Sequence, residues 1–488
     1  MGGFFGCVSK TECVADIFYG TDYHSHLGNM RGGMMVLGEN GFQKYIHDIR
    51  RDQFRSKFER DLDSMHGKCG IGCISDTDSQ PLTVFSSSGT FGITMVGIIN
   101  NLEELQAEFL QNRHTHFTES WGNGVSPTEV AASLVASASN LAEGLRTLQD
   151  KIDGSCSVLL LTEQGVYASR DKVGRTPIVI GRKDDGSLAA SFESCALHNL
   201  GYRIVRWLGP GEAVLLNRAT FEVEPVLPAR KVMKMCAFMW IYYGFPAACY
   251  EGINVEQVRY RCGENLAKQD EGLEVDAVAG VPDSGTAHAL GYAGYSHLPY
   301  RRSFVKYTPT WPRSFISDSQ TTRRHVAKMK LIPIQEFIHD QKLLFCEDSI
   351  VRGTQLKDTF ARLPEWGAKE VHVRAACPPI LFGCKYLNFS PSRTPLELIA
   401  RRAVHAMENG QEDEAHLEKY TDATTPEYQE MVRRICEEMG FTSLKYQTLE
   451  DTIKAIGFPA DCLCTYCWTG KDVSDKKCAG CANCPHKK

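Results

Sequence analysis

KLLFCEDSIVRGTQLKDTF, residues 342–360, decides the architecture of this chain. Leu343-Leu344-Phe345-Cys346 reads as a short buried strand, and Asp358 to Leu363 as part of the helix after it. Between them stand two carboxylates, Glu347 and Asp348, and a small polar turn from Ser349 to Thr354. A turn entering a helix presents unpartnered backbone N–H groups, so it can cradle a phosphate monoester without a lysine. Gly353 permits close backbone approach. Carboxylates at a strand end can accept hydrogen bonds from ribose hydroxyls, and their charge favours a sugar that turns cationic in its transition state. A lone Glu-Asp pair is better read as a solvated acidic turn. The full unit of strand, ED, S-x-V-x-G-T and helix instead marks the crevice where open α/β sheets bind ligands.

Outward from this unit, helix-like and strand-like segments alternate from residue 255: VEQVRYRCGENLAKQ, VDAVAGV, a Gly-rich turn, KLLFC, a helix, then EVHVRAA. Such alternation predicts a parallel sheet covered by helices. Residues 395–456 read as helical and charged, with ELIARRAVHAM and EYQEMVRRICEEM as amphipathic pieces. The first half differs. Segments 158–169, 177–191 and 212–226 carry aliphatic runs broken by Gly, Asp and Asn turns, the pattern of antiparallel sheets, interrupted by helices at about 100–114 and 127–149. The texture changes at 227–235. The expected division is 1–230, 231–460 and a cysteine-rich tail, 461–488.

Bulk properties narrow the function. The 488 residues suffice for two or three domains with their own cores, and 43% apolar with 23% charged residues is ordinary for a globular protein. Lys and Arg number 54 against 59 Asp and Glu, a net charge of -5, so no strong field favours nucleic acid or anionic lipid. The start, MGGFFGCVSK, lacks a signal-peptide run, and no stretch is apolar enough for a membrane span, which points to the cytoplasm. Of 19 cysteines, six fall in residues 462–488, a spacing that reads as metal ligation rather than a disulfide framework.

A second phosphate site is legible in VPDSG, Val281 to Gly285. Asp283 closes a strand, and Ser284 and Gly285 begin a turn whose N–H groups can face a pyrophosphate. Pyrophosphate needs charge neutralisation, so Mg2+ bound partly by ribose and phosphate oxygens is implied.

Together these residues resemble the glutamine phosphoribosylpyrophosphate amidotransferases, which open purine synthesis and whose usual ribose-phosphate signature is DDSIVRGTT. Glu347 replaces the first Asp, and SIVRGT is kept at Ser349 to Thr354, including Val351 and Arg352. RSFI at Arg313 to Ile316, Gln320, and GAKEVHVR at Gly367 to Arg374 follow in order. The resemblance spans essentially the full chain. It implies an α+β N-terminal glutaminase-type (Ntn) αββα sandwich followed by an α/β type I phosphoribosyltransferase domain with a parallel sheet. It further implies that Lys306 and Arg313, in the segment KYTPTWPRSFI, face phosphate, and that the chain forms a homodimer or homotetramer.

The resemblance also exposes losses. The family's glutaminase uses its amino-terminal cysteine as nucleophile and the free amine as base. Here Gly2 stands at that position. The family's HRG becomes His26-Leu27-Gly28, and GIGHxRYST becomes Gly70-Ile71-Gly72-Cys73-Ile74-Ser75-Asp76, without its arginine. Val96-Gly97 takes the place of the oxyanion-hole Asn-Gly, and Pro127 that of the aspartate reading the glutamine amine. Glutamine hydrolysis is therefore expected to be absent, while Arg170-Asp171, Gly174, Pro177, Ser191, Glu193-Ser194 and Pro210-Gly211-Glu212 keep the scaffold.

Members with a [4Fe–4S] cluster carry one ligand in CxFE, one in PPIxxPC and a CxxCFTG pair. The matching residues are Cys236, Cys384, Cys464 and Cys467, with Met239 and Gly383 as departures and a structural zinc as the alternative. Cys478, Cys481 and Cys484 could form a second cluster with Cys462, or a zinc site with Cys462 or His486. Three functions stay open: phosphoribosyl transfer to free ammonia, transfer to another small nucleophile, and non-catalytic binding of phosphoribosylpyrophosphate or nucleotides.

Overall fold

The computed structural model describes residues 2–111, 117–122, 124–307, 331–387, 394–410 and 415–471. Its first half is four layers deep. A seven-stranded antiparallel sheet runs, edge to edge, Arg203–Trp207, Val179–Arg182, Leu188–Ser191, Gly3–Val8, Cys69–Ser75, Arg31–Gly38 and Gly41–Asp48. A six-stranded antiparallel sheet runs Val223–Leu227, Ala213–Asn217, Gly165–Ser169, Gly154–Thr162, Gly89–Ile99 and Leu82–Ser86. Side chains alternate across each strand. Phe4 and Val8 meet Leu159 and Leu161 between the sheets, while Phe5 and Cys7 turn outward to Val14, Ile17 and Phe18 of the helix Val14–Asp22. Val158 and Leu160 turn the other way, onto Val130, Leu134, Leu145 and Leu148. The central strand Gly154–Thr162 is buried on both faces, which is why GSCSVLLLT reads as a continuous apolar run.

One helix expected over 127–149 is two, Pro127–Ala136 and Leu141–Lys151. The cause is capping. The Asn140 side chain accepts the Glu143 N–H at 3.0 Å and starts a new helix after the polar Ser137-Ala138-Ser139 break.

The second half is built on four parallel strands in the order Ala277–Gly280, Lys342–Glu347, Glu370–Ala375 and Ser443–Tyr446. One face packs Leu343, Phe345, Val371 and Val373 against Ile399, Val404, Met431 and Ile435 of the helices Ile399–Met407 and Pro426–Met439. The other packs Val278, Leu344 and Cys346 against Val258, Cys262 and Leu266 of Val255–Lys268, and against Ala289 and Tyr292 of Gly285–Ser296. Ser443–Tyr446 adds a strand to the region 395–456, which reads from sequence as helical: four residues are too few to show a strand period, and pairing with Glu370–Ala375 supplies the evidence that composition lacks. No helix among the described residues is long and apolar enough to cross a membrane.

Candidate active site

All four parallel strands point their carboxyl ends at one crevice, and Glu347 and Asp348 lie there at the end of the second. They are buried, with relative exposures of 8% and 2%. Burial raises both carboxyls above the usual range, and the Asp348 charge pushes Glu347 well up. Hydrogen bonds from Ser284 and Ser349 and the Arg259 charge work in the opposite direction on Asp348. This is a pair in which desolvation holds negative charge in reserve for a ligand that can share it.

The two loops named from sequence are neighbours. A Cβ at Gly285 would sit 2.3 Å from the Cys346 carbonyl oxygen, so only glycine lets the turn at 282–285 lie on the carboxylate strand. The Val281 N–H donates to that same oxygen at 3.0 Å. The Pro282–Asp283 peptide is cis. One detail of the expected turn changes: the Gly285 N–H is already used by the Val281 carbonyl (2.9 Å), so Asp283 and Ser284, not Gly285, carry the free end of this loop.

Across the crevice, the N–H groups of Ser349, Ile350, Val351, Gly353 and Thr354 find no acceptor among the described residues. Gly353 has φ 74°, and a Cβ there would meet the end of the Ile399 side chain at 2.7 Å, so any other residue at the bend would be strained and would have to displace Ile399. Arg352 turns away and pairs with Glu397 at 2.7 Å. Lys306 ends the strand Phe304–Lys306 and pairs with Asp283 at 2.6 Å, bridging the crevice; both partners are solvated, so the pair opens at little cost. Arg313 lies outside the described residues.

The amino-terminal position leaves little room for a side chain. A Cβ at Gly2 would stand 2.2 Å from the Ile74 carbonyl oxygen and 3.4 Å from the Ser75 Cα. Beside Ser75, this chain's own Gln80 carboxamide is held. Its oxygen accepts from the Thr94 hydroxyl and the Met95 N–H, both at 2.8 Å, and its nitrogen donates to Asp78 at 3.0 Å. Asp78 also accepts the Thr128 N–H at 3.0 Å and the Ser126 hydroxyl. Pro127 begins the helix beside this network, with no charge to offer an amine.

Four cysteines are gathered elsewhere. Cys236 and Cys464 are register partners in a two-stranded parallel ladder, and the Cys467 carbonyl accepts the Leu381 and Phe382 N–H groups at 3.1 Å, three and two residues before Cys384. Burial raises the Cys236, Cys384 and Cys467 thiols, and each is pushed further by others of the set. The buried Arg175 sits beside Cys464, its guanidinium 3.5 Å from the centroid of the Tyr386 ring. No group of three or more His, Cys, Asp or Glu among the described residues is arranged to hold a single metal ion. Half-buried and buried thiols from three segments, with a cation at hand, are donors of the kind that either an iron–sulfur cube or a structural zinc takes. Cys462 is fully buried in the main core, whereas Cys478, Cys481 and Cys484 lie outside the described residues.

Two residues that sequence reading passed over stand out. Arg259 is buried on the apolar stripe of its helix, with Val255, Val258 and Cys262. Glu193, taken only as scaffold, is a buried carboxylate. Burial would raise it, but His26 at 3.1 Å, His24 and the Tyr250 hydroxyl outweigh that and hold it at about 2. A cation within a hydrophobic stripe was the available signal for Arg259.

Comparison with known proteins agrees with this geometry. A sequence profile of the glutamine amidotransferase domain matches residues 67–199. The amidophosphoribosyltransferase of Methanocaldococcus jannaschii is 29% identical over 497 aligned positions, covering 96% of this chain and 97% of that protein. That of Mycobacterium tuberculosis is 31% identical over 483, covering 96% and 85%. The glutamine phosphoribosylpyrophosphate amidotransferase of B. subtilis, solved with ADP and GMP, superposes with a TM-score of 0.81 at 26% identity over 97% of this chain and 98% of that one. The fold is thus the Ntn glutaminase sandwich joined to a type I phosphoribosyltransferase sheet, and with near-complete coverage at this identity the chain belongs to the amidophosphoribosyltransferase family.

Proposed function

We propose that this protein transfers the ribosyl phosphate of phosphoribosylpyrophosphate to ammonia, releasing pyrophosphate, and does not hydrolyse glutamine. The observation that carries the reading is the juxtaposition of three parts in one crevice: the buried Glu347–Asp348 pair, the N–H groups of Ser349, Ile350, Val351, Gly353 and Thr354 that meet no acceptor among the described residues, and the turn at 282–285. The loop at 349–354 would take the 5'-phosphate through its backbone. Glu347 and Asp348 would accept the 2'- and 3'-hydroxyls, binding them best when ionised, and would face the positive charge that grows on the ribose as pyrophosphate leaves. Lys306, drawn off Asp283, would turn to the pyrophosphate. Magnesium would supply charge neutralisation on ribose and pyrophosphate oxygens, a mode that needs no three-residue protein site. Cys236, Cys384, Cys464 and Cys467 would hold a [4Fe–4S] cluster that fixes the loop at 376–384 to the carboxyl-terminal segment.

Against glutamine hydrolysis stand the absent nucleophile at Gly2, the closed space around it and the occupation of the neighbouring corner by Gln80. The same loss supports a second reading, a nucleophile other than ammonia. Pyrophosphate release measured with ammonia, then with a panel of amines and bases, tests both. Release with ammonia and none with glutamine is expected. Binding without release under any nucleophile would leave only a sensor of phosphoribosylpyrophosphate, and glutamate formed from glutamine would overturn the loss of the glutaminase.

A further inference from the structure

The seam between the halves carries more buried charge than a passive contact needs, and one peptide group lies at its centre. Gly244 ends the short helical turn Met239–Tyr243, and its N–H donates to the Met239 carbonyl at 2.8 Å. The carbonyl of Gly244 accepts the Arg259 guanidinium at 2.8 Å. The N–H on the other side of the same peptide, that of Phe245, donates to Glu193 Oε1 at 3.1 Å. Arg259 also donates to the Trp240 carbonyl at 3.0 Å and the Tyr242 carbonyl at 2.9 Å, so its orientation is fixed by three backbone acceptors. Glu193 is fully buried and also accepts the Tyr250 hydroxyl, while Ser194 accepts the Cys249 N–H at 2.7 Å. A carboxylate of the amino-terminal half and a guanidinium of the phosphoribosyl half therefore grip opposite edges of one amide. Polarisation runs through such a chain: a carboxylate drawing on the N–H makes the carbonyl a stronger acceptor.

Arg259 is tied to the crevice through its helix and through the charge of Asp348. Its helix packs on Gly285–Ser296 so closely that a Cβ at Gly263 would fall 1.9 Å from the His288 carbonyl oxygen, and that second helix begins at the turn lying on Cys346 and Glu347. Burial lowers the Arg259 guanidinium from its ordinary value, and Asp348 is the group that most opposes this.

We propose that Glu193 is a positioning residue for the phosphoribosyl site: through the Gly244–Phe245 peptide it holds Arg259, and so fixes the charge and place of Asp348. This rests on the phosphoribosyl reading above. It gives the amino-terminal half, stripped of its own chemistry, a present use, and it accounts for a buried carboxylate kept where a neutral core would do.

The test uses the full-length protein with Glu193→Gln, Arg259→Gln, the double variant and Phe245→Pro. The proline variant deletes the bridging N–H while leaving both charged groups, and Gly244, at φ -61° and ψ 142°, already has the extended backbone that a following proline requires. Hydrogen exchange in the ligand-free protein is read first. Each single variant should speed exchange in 239–251 and also at 347–353, across the crevice. Kinetics come second: Glu193→Gln and Phe245→Pro should lower kcat by roughly 2- to 30-fold with little change in KM, the span found for residues that couple at a distance. Arg259→Gln should cost at least as much, and the double variant no more than Arg259→Gln. The acid limb of the kcat profile should move to higher pH in Arg259→Gln, since Asp348 then loses this positive charge while keeping Glu347, the Cys377 thiol and its serine donors as neighbours. Exchange confined to the seam, or losses in the double variant equal to the product of the singles, would overturn the brace. Wild-type protein that neither binds phosphoribosylpyrophosphate nor releases pyrophosphate would instead overturn the proposed reaction, with the exchange measurement still deciding the brace.

Discussion

Placing a cysteine at residue 2 should not yield a glutaminase, and the structure says at what cost in stability. In Gly2→Cys, the new Cβ would lie 2.2 Å from the Ile74 carbonyl oxygen. Ordinary contact begins near 3.4 Å, so one partner must retreat by about 1.2 Å. Ile74 cannot do so cheaply: its strand is paired on one side with Gly3–Val8 and on the other with Arg31–Gly38, both in continuous register. Residue 2 leads directly into the first of these. Overpacking of this kind costs about 1–3 kcal/mol. For a domain of roughly this size that is a fall in Tm of about 2–12 °C. Scanning calorimetry reads the loss, and release of glutamate from glutamine reads the chemistry. The expectation is a destabilised variant with no glutaminase activity. A variant that hydrolyses glutamine at an unchanged Tm would show that the space around Gly2 opens freely, and the account of a closed site would be wrong.

Other consequences can be checked alongside. Asp348→Asn keeps shape and removes charge, so kcat for pyrophosphate release should drop by roughly 10²-fold, about 2.7 kcal/mol, while Tm does not fall, because burial already disfavours the ionised carboxyl; unchanged turnover would remove the residue from the mechanism. Gly353→Val should abolish phosphoribosylpyrophosphate binding, since φ 74° and the Ile399 side chain both disfavour a Cβ, and wild-type affinity by calorimetry would contradict the loop's assignment. Because Glu347 and Asp348 titrate high in the free protein and hydroxyl binding favours their ionised forms, binding should release protons and tighten as pH rises; identical heats in buffers of different ionisation enthalpy would speak against it. Glu193, held at about 2 against 4.5, contributes about 3 kcal/mol of stability that is present above pH 4.5 and lost as pH falls toward 2. His24, lowered by burial from 6.5 to about 4, binds its proton more readily in the unfolded chain, so stability falls as pH drops from 6.5 to 4. Urea midpoints across this range should flatten below pH 4.5 in Glu193→Gln and between 4 and 6.5 in His24→Gln; parallel curves would disprove the assignments.

How much of this could be read without coordinates depends on whether the relevant force is local. The strand-turn-helix at 342–360 was legible because turn chemistry and apolar run coincide within a few residues, and Glu347, Asp348 and Gly353 lie where that reading puts them. The approach of 282–285 to the same crevice followed from the resemblance, but which N–H groups stay free did not, because the Val281 carbonyl competes for the Gly285 donor. Ser443–Tyr446 was hidden for a different reason: a four-residue strand owes its existence to a partner some seventy positions away. Glu193 and Arg259 were both visible as letters. What could not be seen was that their side chains meet two edges of one peptide, a relation set by the packing of two domains.

The ladder between Met235–Cys236 and Leu463–Cys464 also sets an order of events during synthesis. The two antiparallel sheets close once residue 227 has emerged, and the parallel sheet needs residue 446. Cys236 must then wait, through most of the second half of translation, for the segment that pairs with it. Chains fold from the amino terminus as they appear, at about 5–20 residues per second, so roughly 230 residues of delay leave Cys236 without Cys464 for some 10–50 seconds. Any metal centre built on these thiols is therefore the last part of the protein to form, and its assembly marks a chain whose other domains are already in place.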